Sequence, residues 1–248
     1  MRRTGSDRID TGRKFFVEFF RRGPTGPLLA VSSKAMRRVL LTGFTPFGGE
    51  AVNPSWQAVR LVAQNAPEDY EVAVSELPCD FESSLPELRT AIERHRPELV
   101  VCAGQAGGRA AVTPERIAVN LQDARIPDNA GRQPVDVPVV PDGPVGYFST
   151  LPVKACAAAI AAEGLPAEVS HTAGTFVCNH VFYGLMHLLA TELPDVRGGF
   201  VHVPFSPEQA GQRHPSLPVE ECARALDVLV RTALTTQTDL PVPAGTLH

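Results

Sequence analysis

The sequence lacks two features that would define whole classes of protein. It has no apolar run near the roughly 18 residues that a membrane helix requires. It also has no C-x-x-C pair, and its cysteine count is odd, with single cysteines at Cys79, Cys102, Cys156, Cys178 and Cys222. This usage argues against a zinc site or a disulfide framework, so we expect reduced thiols in a cytoplasmic protein.

An excess of basic charge is also missing from most of the chain. Residues 1–35 hold eight Lys/Arg and three Asp/Glu, a balance of +5, which leaves fifteen against twenty-four, or −9, from Met36 onward. An acidic body argues against nucleic acid as a partner. The apolar stretch 15–20 is interrupted by Glu18 and flanked by arginines, so it does not suit a signal peptide. We expect Met36 to be the true start, residues 1–35 to be a poorly ordered or non-native extension, and residues 36–248 to form one domain.

From residue 38 onward, short apolar runs alternate with helical patterns and glycine loops. Runs that are apolar on both faces are typical of parallel strands covered by helices. We therefore expect an α/β fold, a three-layer α/β/α sandwich around a mostly parallel, twisted sheet. The predicted strands are 39–44, 72–77, 99–104, 167–170 and 199–203, and the predicted helices are 54–62, 83–95, 153–163, 178–190 and 219–234.

Two segments have little periodicity. Residues 122–150 are rich in Pro, Gly and Asp, and we expect a long ordered excursion, because loops of this length inside compact domains are usually functional. We expect the tail beyond Thr235 to fray.

Cys178 stands where a glycine-containing loop runs into an amphipathic helix. The first-turn amides of a helix have no intrahelical partner and carry partial positive charge, which favours a thiolate there. Cys178 is therefore a candidate nucleophile, although a buried structural cysteine would give the same local pattern.

A nucleophilic cysteine needs a base and a group that orients it. His202 is polar near the carboxyl end of an otherwise apolar strand, the end where α/β sheets form ligand crevices. His171, in the loop before Cys178, stays open as an alternative, as does a structural role for His202. Glu115 follows a glycine loop on the same side of the predicted sheet, but could instead be a surface residue or a partner of Arg116.

Six sequence blocks together resemble the pyrrolidone-carboxylate peptidases (pyroglutamyl-peptidase I), a cysteine peptidase family. They occur in the order found in that family, between about residues 39 and 207. The blocks are LLTGFTPFGG (40–49) with NPSW (53–56), GQAGGR (104–109), TPERIAVNL (113–121), ARIPDN (124–129), TAGTFVCNH (172–180) and GGFVHVPF (198–205).

The resemblance implies a catalytic triad of Cys178, His202 and Glu115, and removal of an N-terminal pyroglutamyl residue from peptides through a thioester. It also implies that Arg125 and the backbone amide of Cys178 hold the oxyanion. The remaining implied substrate-binding residues are the aromatic pair Phe44 and Phe47 and the polar residues Asn53 and Gln105. Neither a metal nor a cofactor is implied, and family members are commonly homotetramers.

Two other functions are compatible with parts of this pattern. A nucleoside-phosphorylase-like enzyme would have a related sheet with glycine loops, but its chemistry gives no reason for a cysteine at a helix start beside Phe44 and Phe47. A catalytically silent binding or assembly module would keep the fold and bind a pyroglutamyl ligand without thiol-dependent hydrolysis.

Overall fold

A five-stranded sheet forms the centre of the described protein. The computed structural model describes residues 36–65 and 68–245, so the prediction for residues 1–35 lies outside the described residues. Its strands are β1 (Arg37–Phe44), β2 (Tyr70–Leu77), β3 (Leu99–Gln105), β4 (Thr113–Pro114) and β7 (Arg197–Val203). Their order across the sheet is β2-β1-β3-β7-β4. The first four in this order are parallel, and β4 runs antiparallel to β7.

Helices cover both faces of this sheet. On one face, α1 (Pro54–Gln64), α3 (Val153–Ala162) and α6 (Val219–Thr235) enclose a core that includes Val39 and Leu41. On the other face, α2 (Ser84–His95) and α4 (Val177–Thr191) enclose a core that includes Leu40 and Phe44. Because successive residues of a strand point to opposite faces, the apolar runs supply both cores. The predicted three-layer α/β/α sandwich is confirmed. Within the described residues, no helix combines the length and hydropathy needed to cross a membrane.

The long excursion is ordered mainly by bonds between side chains and backbone. Its two ends pair as a small antiparallel sheet of β5 (Ile117–Val119) and β6 (Gly146–Phe148). The side-chain amide of Asn120 donates to the Val140 carbonyl and accepts from the Val140 amide, both at 2.9 Å. Such bonds replace strand pairing where prolines remove backbone donors.

Two predictions about local structure were wrong. Residues 167–170 do not form a strand; Ala167 and Ser170 make only isolated parallel bridges to Val112 and Glu115. The tail does not simply fray after Thr235, because the Asp239 carboxylate accepts from the backbone amides of Lys154 and Ala155 at 3.1 and 2.9 Å. It thereby caps the first turn of α3 from 84 residues away. A short helix, α5 (Pro207–Ala210), follows β7.

Candidate active site

The carboxyl ends of β3 and β7 bring the first candidate residues together. His202 pairs with Gly104 on one side and with Thr113 of β4 on the other. Its side chain shares a sheet face with Phe200, whose ring centroid lies 4.9 Å from that of the imidazole. This is the face covered by α4, so the strand alternation directs His202 toward the helix that carries Cys178.

Glu115 and His202 are hydrogen-bonded in the interior. The Nδ1 atom of His202 lies 2.7 Å from Oε1 of Glu115, and both side chains are buried. Glu115 is held at this position because its amide donates to the Phe200 carbonyl at 2.9 Å. The pairing fixes one ring nitrogen of the histidine, which leaves Nε2 for chemistry. His171, the alternative base, lies exposed in its loop.

The Glu115 carboxylate remains ionised although it is buried. Burial alone would raise its pKa, but the hydrogen bond from His202, the charges of His202 and Arg109 and the nearby Ser170 hydroxyl lower the pKa below its ordinary value. Glu115 does not bind Arg116, the alternative partner considered from the sequence. The Arg116 guanidinium donates to the Ala244 carbonyl instead. A buried carboxylate that stays charged can stabilise an imidazolium, which is what a triad requires of its third member.

Cys178 lies in the first turn of α4, and its sulfur packs against β3. A Cβ placed on Gly104 would come within 2.9 Å of the Cys178 sulfur, so the sulfur lies directly over the residue that pairs with His202. The helix begins with a hydrogen bond from the His180 amide to the Phe176 carbonyl at 3.0 Å. Within the described residues, the amide of Cys178 donates to no protein acceptor, so it is available to an oxyanion.

The charge state of Cys178 differs from the sequence expectation. Desolvation raises the pKa of this thiol well above its ordinary value, Cys79 and Glu115 raise it further, and the Arg109 charge opposes them. Burial therefore outweighs the helix-start effect that would favour a resting thiolate. A thiol in this environment needs a neighbouring base to take its proton, and His202 is the imidazole on the same sheet face.

Arg125 is exposed, and no protein partner of its guanidinium occurs within the described residues. Its segment is tied to the nucleophile loop by two bonds between Asp123 and Thr175, at 3.0 Å and 2.8 Å. Ala124 is buried in the same core as Val177. Arg125 is thus carried on a segment that lies against the approach to Cys178, with its donors unused by the protein.

The two aromatic candidates have different surroundings. Phe44 is buried, with 1% of its surface exposed, and its ring packs on Phe200 at 6.3 Å. Phe47 is partly exposed and packs on Phe176 at 6.2 Å. Because Phe176 immediately precedes α4, the Phe47 ring reaches the start of the nucleophile helix, whereas Phe44 is also a core residue.

Asn53 and Gln105 are both buried and both hydrogen-bonded to protein. The Asn53 side chain accepts from the Ser55 amide and hydroxyl at 3.1 and 2.8 Å, which caps α1, and donates to the Thr45 carbonyl at 3.1 Å. The side-chain carbonyl of Gln105 accepts a hydrogen bond from the side-chain amide of Gln209 at 3.3 Å. Asn53 therefore closes the loop that carries Phe47, a role that the sequence did not indicate.

Sequence reasoning missed two residues of this region. Arg109 donates to Glu115 Oε1 at 2.6 Å, and the only signal for it was an arginine at the end of a glycine loop six residues before Glu115. His180 is buried against Phe81, with ring centroids 5.5 Å apart, and neither of its ring nitrogens has a hydrogen-bond partner within the described residues. Burial lowers the pKa of His180 to about 4, which keeps it neutral. Beside it lies a cavity of about 430 Å³ that is also lined by Phe81 and Val139.

Comparisons with known proteins point to one family. The model of the pyroglutamyl peptidase family matches residues 37–236. A pyrrolidone-carboxylate peptidase of Streptomyces coelicolor is 59% identical over 216 residues, which are 86% of this chain and all of that protein. One of Pectobacterium carotovorum is 51% identical over 86% of this chain and all of its own length.

Solved structures show the same relationship. The crystal structure of pyroglutamyl peptidase I from Bacillus amyloliquefaciens has a TM-score of 0.82 and 47% identity, covering 84% of this chain and all of that one. The pyrrolidone carboxyl peptidase from Thermococcus litoralis has a TM-score of 0.80 and 36% identity over the same shares. The family resemblance seen in the six sequence blocks is confirmed, and the chain belongs to the pyroglutamyl peptidase family.

Proposed function

We propose that this chain is a cysteine exopeptidase that removes an N-terminal pyroglutamyl residue from peptides, with Cys178 as nucleophile, His202 as acid and base, and Glu115 as the group that orients His202. The observation that carries the proposal is the buried 2.7 Å bond between Glu115 and His202, together with the position of the Cys178 sulfur over Gly104, the residue that pairs with His202. Membership of the pyroglutamyl peptidase family supplies the substrate class.

In the first half of the reaction, the Cys178 sulfur attacks the carbonyl carbon that joins the pyroglutamyl residue to the next residue. The thiol proton passes to His202 as the carbon–sulfur bond forms, since desolvation raises the pKa of the Cys178 thiol. The negative oxygen is stabilised by the free Cys178 amide and by Arg125. The carbon–nitrogen bond then breaks, and His202 gives its proton to the departing amine.

In the second half, water replaces the amine and the thioester is hydrolysed. His202 takes a proton from the water as its oxygen attacks the thioester carbon, the carbon–sulfur bond breaks, and the proton returns to sulfur. The products are 5-oxoproline and the shortened peptide. Glu115 stays ionised throughout and stabilises the imidazolium that forms in each half.

Selectivity for a lactam follows from what the site offers to the substrate. A pyroglutamyl terminus has no ammonium group, so its binding site needs apolar walls and a few polar groups instead of carboxylates. The partly exposed Phe47 supplies aromatic surface, Gln105 supplies an amide at the end of β3, and Asn53 holds the loop that carries Phe47. Phe44 is buried, and its place in the binding site rests on the family resemblance.

The test is release of a fluorescent amine from a pyroglutamyl amide under reducing conditions, with prolyl and glutamyl amides as controls. Wild type should release the amine only from the pyroglutamyl amide, and Cys178→Ala should lose at least about 10³-fold in turnover because the nucleophile is gone. Cys156→Ala is the matched control, since that cysteine is buried in the core under α1, α3 and α6. Release that survives the Cys178 change, or no release by folded wild type, would refute the proposal.

We further propose that the protein works in the cytoplasm as a homotetramer. The five cysteines are all free, which suits a reducing compartment. Val145 and Phe148, at the β6 strand, are 89% and 70% exposed, and large apolar side chains at such exposure favour contact with another subunit. Light scattering should give four times the chain mass, and Phe148→Ser should lower that mass; a monomer at micromolar concentration would exclude the tetramer.

A further inference from the structure

Arg109 makes a set of contacts that no other described arginine makes. Its Nη1 atom donates to Oε1 of Glu115 and to the Thr113 hydroxyl, both at 2.6 Å. Its Nη2 atom donates to the Thr172 carbonyl at 2.9 Å. One guanidinium thus joins the strand β4, the carboxylate that binds His202, and the loop that leads to Cys178.

The contact with Glu115 is placed on the oxygen that also binds His202. Oε1 receives both Arg109 and His202, while Oε2 is buried with no hydrogen-bond partner within the described residues. The Glu115 side chain has no exposed surface, whereas that of Arg109 is 28% exposed. A buried carboxylate needs a compensating charge, and the partly exposed Arg109 provides it at the same oxygen that binds the imidazole.

The contact with Thr172 ties this carboxylate to the nucleophile. Thr172 is a junction of its loop, because its carbonyl also accepts from the Ser170 hydroxyl at 3.1 Å and its hydroxyl accepts from the Gly174 amide at 3.1 Å. A planar guanidinium can hold two acceptors in fixed directions, which a lysine ammonium cannot reproduce. Arg109 therefore adds a side-chain link between Glu115 and the loop before Cys178, beside the backbone bridge between Glu115 and Ser170.

We propose that Arg109 is a positioning residue of the catalytic triad, which holds the Glu115 carboxylate against His202 and fixes the nucleophile loop relative to both. The inference rests on the proposed function of Glu115, His202 and Cys178, and it assigns to Arg109 no contact with substrate. Arg109 acts on the reaction through its two neighbours.

The experiment combines turnover with a measurement that needs no substrate. Wild type, Arg109→Lys and Arg109→Gln are compared for kcat and KM on a pyroglutamyl amide, and for the pH dependence of Cys178 alkylation by iodoacetamide, read by peptide mapping. The other four cysteines are buried, so Cys178 is the accessible thiol. Besides desolvation, the groups that act on its ionisation are Cys79, Glu115, Arg109 and Cys102. His202 lies on the same sheet face.

For Arg109→Gln we expect kcat to fall by about 10- to 100-fold with KM within about threefold, because orientation is lost and not substrate contact. The alkylation midpoint should move to higher pH, by about half a unit or more, because a nearby positive charge is removed. Arg109→Lys keeps the charge but not the fork, so it should keep the midpoint and still lose kcat. Arg89→Gln is the control: it removes a bidentate but exposed pair with Glu192, and should change neither readout.

The outcomes separate this proposal from the proposed function. Folded Arg109→Gln with wild-type kcat and midpoint would overturn it, and if that variant does not fold, wild-type kcat in Arg109→Lys overturns it. Absence of pyroglutamyl release by wild type, with the alkylation shift still present in Arg109→Gln, would refute the activity but not the role of Arg109.

Discussion

The two faces of the sheet are built from different kinds of residue. The back face, covered by α1, α3 and α6, has a core mainly of Val, Leu, Ala and Ile, with Cys156 and Cys222, in which Tyr70 is the fully buried aromatic residue. The active-site face, covered by α2 and α4, contains four buried phenylalanines together with Glu115, His180 and His202. Aliphatic side chains have no polar groups that need a partner, whereas buried titratable groups lower the stability of the fold unless each has a hydrogen-bond or charge partner. The buried carboxylate and imidazoles thus lie on the face of the sheet that holds Cys178.

Replacing one exposed arginine on each face should give the largest difference in turnover between the two faces. Arg125→Ala should reduce kcat about 10²- to 10³-fold, the effect typical of one oxyanion donor, while leaving the unfolding free energy within about 0.5 kcal/mol because the side chain is exposed. Arg224→Ala, an equally exposed change on α6 of the back face, should alter neither. Steady-state kinetics and urea unfolding on the same preparations measure both effects. Near-normal turnover in Arg125→Ala would remove that residue from the oxyanion site.

Two glycines of the central strands test the faces at close range. In Gly104→Ala the new methyl would lie 2.9 Å from the Cys178 sulfur and 2.8 Å from the Phe200 ring, so the nucleophile must shift and turnover should fall about 100-fold. Gly199→Ala points to the back face, where it would meet Ser149 and Leu151. It should cost about 1–3 kcal/mol of stability through overpacking, with turnover per folded molecule within about threefold. Equal loss of turnover in both variants would contradict the division between the faces.

Acid should destabilise the protein through His180. An unfolded histidine takes up a proton below about pH 6.5, while burial holds the folded pKa at about 4, so stability falls as the pH decreases across that interval, by about 3 kcal/mol in all. Glu115 and Asp80 have lowered folded pKa values, so their contribution is lost only at still lower pH. Urea unfolding at pH values between about 7.5 and 4.5 gives the slope directly.

His180→Phe should flatten this dependence, because it removes the group that takes up the proton in the unfolded chain. The matched control is His187→Phe on the same helix, whose Nδ1 bonds to the Tyr147 hydroxyl at 2.9 Å; it should keep the steep fall. An unchanged slope in His180→Phe would assign the acid sensitivity elsewhere. The back face should lose stability at alkaline pH instead. Burial raises the pKa of Tyr70, so its contribution to the stability falls only as the pH rises above about 10.

The smallest expected effects come from the helix caps. Asn53→Ala removes the cap of α1, and Asp239→Ala removes the cap of α3; each should cost about 1 kcal/mol. The Asn53 change should in addition raise KM, because its bond to the Thr45 carbonyl holds the loop that carries Phe47. Thermal unfolding and substrate titration of the pair measure this, and an unchanged KM in Asn53→Ala would limit Asn53 to a structural role.

Local patterns predicted most elements because their causes are local. Unbroken apolar runs indicated the parallel strands, and Asn53 followed by Pro54 marked the start of α1, where Pro54 occupies the first turn. The segment 167–170 was mispredicted as a strand because a sequence pattern cannot show how continuously two segments pair. Residues 112–116 lie beside it, but they meet it through two isolated bridges. The same limit hid the capping of α3 by Asp239, which depends on where the chain returns after α6.

By itself, the sequence determined the layered α/β architecture, the start of the nucleophile helix and, through six blocks in order, the family. Only the tertiary structure decided that Glu115 binds Arg109 and not the adjacent Arg116, that desolvation raises the pKa of the Cys178 thiol, and that Asn53 closes a loop. Periodicity and capping act over a few residues, so they can be read along the chain. Hydrogen bonds between residues as distant as Glu115 and His202, 87 positions apart, and the desolvation of a sulfur, exist only once the sheet and its helices have packed.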